Sequence, residues 1–205
     1  MATRLQHGAR SRAANIATTH VYRFNLTQAA FLYIDFTGLR LIPEPKQDII
    51  SRYYSLVEKC ARRRSATWLY GGQDGDDAYT FLFPNIEPAL QCARDIKQEF
   101  SENLFLHSNE WDVKFGLSFV AFPEKKREES VLKGWGTAKD CCEYKGNAFR
   151  NRGDLIISEE TMTELQNKGQ IEVLTRFDVI AGEYVKGTQS QIFRFLDIAP
   201  LTKLP

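Results

Sequence analysis

The chain has 205 residues, 43% hydrophobic and 26% charged, enough to bury one good core and most simply organised as a single globular domain. Its 27 basic and 26 acidic side chains give a formal net charge of +1, so no overall field steers it to nucleic acid or an anionic membrane. No apolar run of about 18 residues exists and the N-terminus lacks a signal-peptide core, which points to a cytoplasmic protein without a membrane-spanning helix. Four cysteines, Cys60, Cys92, Cys141 and Cys142, show no CxxC spacing, and the adjacent two are badly placed to bridge each other or to share one zinc. They read as reduced thiols.

Residues 1–24 carry Arg4, Arg10 and Arg12 among Ala, Thr and Gln with little apolar periodicity, and are expected to form an N-terminal arm, mobile or docked on a partner. A single domain then fills residues 25–205. From Ala29 to Phe36 the run AAFLYIDF is almost wholly apolar, as in a central strand covered on both faces. Ile49, Ile50, Tyr53, Tyr54, Val57 and Cys60 recur at spacings of three and four and predict a helix, closed by the basic run Arg62 to Arg64 at the negative end of its dipole.

Ala66 to Tyr70 and Ala78 to Phe83 are β-prone and separated by GGQDGDD, a hairpin connection. Ile86, Leu90, Ala93, Ile96 and Phe100 mark a second amphipathic helix, and Trp111 to Phe122 a long strand. A helix is expected within Val131 to Arg150, then a strand from Leu155 to Ser158. Ser158 precedes Glu159 and Glu160, and Thr161 leads into a last helix, a cap signal; Ile171 to Tyr184 and Gln191 to Leu196 are expected as a closing strand pair. The order predicts an α+β fold, a ferredoxin-like βαββαβ core with additional αβ and ββ elements, one sheet covered by helices.

Asp35 interrupts the apolar first strand near its end. A carboxylate there costs several kcal/mol to bury unless a metal ion, an arginine or helix N-terminal amides compensate it. Gly38 follows, and a glycine turn lets backbone amides approach a phosphate. The hairpin GDDAY offers a second carboxylate, Asp76 or Asp77, on what is expected to be a neighbouring strand. Two carboxylates converging on one sheet suit divalent ions held against a nucleoside triphosphate. Taken alone, the hairpin aspartates are ordinary turn residues.

FLYIDFTGLR, residues 31–40, resembles the first metal motif of class III nucleotidyl cyclases, and GDDAYTFLF, residues 75–83, is similar to their Gly-Asp-Ala-Tyr hairpin. VKFGLSF from Val113, LKGWGTAKDCCEY over 132–144, DLIISEET from Asp154 and EYVKGTQSQIFRF from Glu183 resemble the later motifs in the same order. The likeness covers nearly everything after residue 25 and rests on the succession of moderate motifs. It implies the class III catalytic-domain fold, with two Mg²⁺ or Mn²⁺ ions held by Asp35, Asp77 (or Asp76) and the Phe36 carbonyl. It also implies a homodimer whose active sites form between subunits. Lys186, in the Lys-Gly hairpin, and Arg40 are candidates to neutralise the triphosphate.

The departures bear on substrate. The segment 132–144 sits where the family has a Trp-Gly turn, which puts Asp140 and Tyr144 at the usual Asn and Arg positions and Lys133 where adenylate-selective members place an aspartate. Such a pocket resembles that of the stand-alone pyrimidine cyclases of bacterial Pycsar antiphage systems. There the cyclic UMP or cyclic CMP product is sensed by a separate effector. The resemblance therefore implies a uridylate cyclase, with CTP ranked second. An adenylate or guanylate cyclase, and a catalytically inactive nucleotide-binding homologue, are the alternatives. Trp135, Tyr144 and Phe149 are expected in the core ahead of a subunit interface.

Overall fold

A computed structural model of the protein describes residues 15–38, 47–71, 78–103, 112–143, 154–184 and 189–196. Part of the expected arm is folded: residues 15–23 form a helix, α1, with Ala17 and Val21 fully buried. Strand β1 (Gln28–Thr37) leads to α2 (Gln47–Arg63), β2 (Thr67–Gly71), β3 (Ala78–Phe83), α3 (Ile86–Asn103) and β4 (Asp112–Ala121). A short 3-10 turn, Glu124–Lys126, opens α4 (Arg127–Cys142). Then follow β5 (Leu155–Ser158), α5 (Glu159–Asn167), the single turn α6 (Ile171–Leu174), β6 (Phe177–Tyr184) and β7 (Gln191–Phe195).

The seven strands make one sheet in the order β2-β3-β1-β4-β5-β7-β6. The β4–β5 pair is parallel and the other neighbours are antiparallel. The first four strands with α2 and α3 are the expected ferredoxin-like core. Side-chain alternation along β1 divides the molecule: Ala30, Leu32, Ile34 and Phe36 join the core shared with α2 and α3. Ala29, Phe31 and Tyr33 join the second cluster, with Val21 of α1 and Val131, Trp135 and Ala138 of α4. A strand covered on both faces explains the near-continuous apolar run.

Three helices end on the same device. Asn25, Ser65 and Gly169 take positive φ (47°, 57° and 70°) just past α1, α2 and α5. In each case the next residue donates back five positions, Leu26 to the Val21 carbonyl, Ala66 to Ala61 and Gln170 to Leu165. These are Schellman motifs, which satisfy carbonyls that the helix end leaves open. At the start of α5, Ser158 accepts from the Thr161 amide, as expected of a cap.

Two expectations need correction. Ile171 to Leu174 is a helical turn instead of strand: Val173 and Leu174 donate to the Gln170 carbonyl and pack towards the core, so β6 begins at Phe177. The Trp-Gly pair 135–136 is no turn but the middle of α4. The glycines here serve close packing. A Cβ at Gly134 would lie 2.6 Å from the Phe31 ring, and one at Gly116 of β4 would lie 1.9 Å from the Ala138 carbonyl oxygen. The helix therefore lies directly on the sheet.

Candidate active site

Asp35 is half-buried and belongs to the α4 face of the sheet, following the alternation of Ala29, Phe31 and Tyr33. The register pairs it with Ala78 on β3 and Lys114 on β4. Directly opposed residues in an antiparallel pair carry their side chains to one face with Cβ atoms about 5 Å apart. A lysine thus neighbours the carboxylate. Sequence reasoning missed it, because Lys114 alternates with Val113 and Phe115 like any solvent-facing strand residue. Only the pairing register reveals the acid opposite.

The last turn of α4 lies over this end of the strands, where the Cys142 thiol donates to the Lys114 carbonyl at 3.4 Å. The Lys139 ammonium stands 5.6 Å from the centre of the Tyr33 ring and pairs with Glu143, so a second cation missed in the sequence lies on the same face. Trp135 is 6% exposed, its indole donating to the Thr80 hydroxyl at 3.2 Å and its ring edge-on to Tyr33. That places it in the core, as expected. Burial pushes the Cys141 thiol up, with Asp140 and Glu160 adding to the shift, so it is a poor nucleophile.

Gly38 has φ +93°, a backbone state that favours glycine, immediately after the Thr37 that ends β1. Asp140 is exposed in the last turn of α4. Lys133 pairs with Glu160 of α5 at 3.1 Å and lines a shallow pocket with Ser118, Val120 and Thr137. Four to six residues of β4 separate that pocket from Lys114, roughly 13–20 Å along the strand. One chain therefore does not bring Lys133 to Asp35. Asp76, Asp77, Arg40, Tyr144, Phe149 and Lys186 lie outside the described residues, though β2 and β3 are antiparallel neighbours flanking 72–77.

Carboxylate and main-chain carbonyl oxygens, the donors expected of Asp35 and Phe36, suit hard cations such as Mg²⁺ and Mn²⁺. Asp35, half-exposed at a strand end, fits that role. Among the described residues no group of three or more His, Cys, Asp or Glu is placed to hold a metal ion.

No protein-family profile and no curated protein matches the sequence. Solved structures do match the fold. The catalytic core of a rhodopsin-guanylyl cyclase with converted specificity, in complex with ATPαS, is 15% identical over 83% of this chain and 96% of that one, with a TM-score of 0.58. The guanylate cyclase domain from Catenaria anguillulae, in complex with GTP, is 13% identical over 83% and 96%, TM-score 0.57. An adenylate cyclase from Trypanosoma brucei in its monomeric state is 8% identical over 84% and 90%, TM-score 0.55. The α+β fold is thus that of class III nucleotidyl cyclase catalytic domains. Among the described residues no helix is long and apolar enough to cross a membrane.

Proposed function

We propose that the chain is a nucleotidyl cyclase that converts UTP, with CTP ranked second, to the 3′,5′-cyclic monophosphate and pyrophosphate. The observation that carries this reading is Asp35, a half-buried carboxylate at the end of the central strand, set beside Lys114 and a glycine turn within a cyclase fold. What two divalent ions supply when bound is a lowered pKa for the ribose 3′-hydroxyl and stabilisation of the leaving pyrophosphate. The 3′-oxygen attacks the α-phosphorus, the bond to pyrophosphate breaks, and the hydroxyl proton passes to solvent.

Asp35, Asp77 (or Asp76) and the Phe36 carbonyl hold the ions. Gly38 admits the phosphates to the main chain, and Arg40, Lys186 and Lys114 offset their charge. Lys133, Asp140 and Tyr144 form the base and ribose contacts of a homodimer. The span between Lys133 and Asp35 supports this, since a second subunit must close the distance. The pyrimidine preference rests on Lys133 standing where adenylate-selective members place an aspartate, with Asp140 and Tyr144 at the usual Asn and Arg positions. In this reading the protein is a cytoplasmic antiphage signal generator, and its cyclic product reaches a separate sensing effector.

Asp35→Asn and Asp77→Ala should each abolish turnover while the thermal midpoint stays within a few degrees of wild type. One observation favours a second reading, a catalytically inactive nucleotide-binding module: Lys114 already offers Asp35 a countercharge without any metal. Persistence of the cellular function in Asp77→Ala would decide for the module.

A further inference from the structure

The β4–β5 ladder pairs Phe115 with Leu155, Gly116 with Ile156 and Leu117 with Ile157. The Phe115 amide donates to the Asp154 carbonyl at 3.2 Å, and continuing the register one step earlier sets Asp154 beside Lys114. Asp154 is only 6% exposed. Leu155 belongs to the α2 and α3 side of the core and Ile156 to the cluster with Cys141 of α4, so alternation gives Asp154 the α4 face as well. Strands β1 and β4 and the residue that enters β5 thus form a row of acid, base and acid: Asp35, Lys114 and Asp154. A buried carboxylate beside a half-buried lysine restrains the ammonium far better than solvent does.

We propose that Asp154 is a positioning residue that fixes Lys114 toward the triphosphate. The lysine then leaves Asp35 to the metal ion, because Asp154 supplies its countercharge. This deepens the cyclase reading and rests on it. Both acids bear on one lysine, so the row is a device for keeping three charges apart in function though adjacent in space.

Calorimetric binding of Mn²⁺ with inorganic tripolyphosphate tests this without turnover and without a base. Asp154→Asn should weaken binding about tenfold, Asp154→Glu should recover most of that loss, and in a Lys114→Met background Asp154→Asn should add less than twofold. An equal loss in both backgrounds, or none in either, overturns the inference while leaving the cyclase reading intact. A wild type that binds no tripolyphosphate overturns both. Should Asp154→Asn fail to fold, Asp154→Glu against Lys114→Met carries the same comparison: wild-type-like binding by Asp154→Glu beside a tenfold loss in Lys114→Met supports the role, and equal binding by the two overturns it.

Discussion

Asp35 and Lys114 are cross-strand neighbours, so each is part of the other's solvation. Removing the lysine takes a positive charge from the phosphate side of the proposed site. Lys114→Met should raise the KM for UTP with Mn²⁺ about tenfold, the size of one charge-assisted hydrogen bond at ~1.5 kcal/mol, with a smaller change in kcat. Steady-state kinetics on the purified protein would show it; an unchanged KM would place Lys114 outside the substrate site. The acid was legible in the sequence because a carboxylate in an apolar run demands a partner. The lysine was not, since nothing local distinguishes a strand residue facing solvent from one facing a carboxylate on a strand about eighty positions earlier.

At the level of elements, the hydrophobic periods defined α2, α3 and the central strands well, because each buries one face or both against a single sheet. Glycine was the residue type most easily misread. Gly134 and Gly136 resemble turn formers, yet the fold uses this segment to bring α4 onto β1 and β4, which only tertiary contact reveals. Gly116→Ala should therefore destabilise the protein by about 1–3 kcal/mol, since the added methyl meets main-chain atoms that cannot swing away. Urea unfolding would measure it, and a loss under 0.5 kcal/mol would contradict the close approach on the order expected of overpacking.

The opposite sign is expected at the end of α2. Ser65 holds positive φ where α5 uses Gly169 for the same hydrogen-bond pattern. Ser65→Gly relieves the Cβ strain, and a gain of about 0.5–1 kcal/mol is expected in the same unfolding experiment. The strand expected from Ile171 failed for a related reason. Its β-prone residues follow a helix-ending glycine, and burial of Val173 against the core is met by one helical turn.

For the whole molecule, all four cysteines are free and buried, and burial raises the Cys60 thiol to about 11, helped by Glu99 and Asp95. A thiol whose pKa rises on folding stabilises the native state while protonated. That contribution is complete below the ordinary value of 9.0 and is lost as pH climbs through about 11. The thermal midpoint should fall between pH 9 and 11, and less steeply in Cys60→Ala. Equal slopes in the two proteins would show that the thiol is not the cause.

A fold shared with nucleotidyl cyclase catalytic domains places Asp35, Lys114 and the end of α4 together on one side of the central sheet, and turnover is what the proposed function predicts of that arrangement. Incubation of the protein with Mn²⁺ and each of the four common ribonucleoside triphosphates, followed by mass-spectrometric identification of products, is the most direct test. Cyclic UMP and pyrophosphate in equal amounts from UTP, absent with Asp35→Asn, is the expected result. A cyclic product from ATP alone would contradict the pyrimidine assignment, and no cyclic product from any of the four would contradict the cyclase itself.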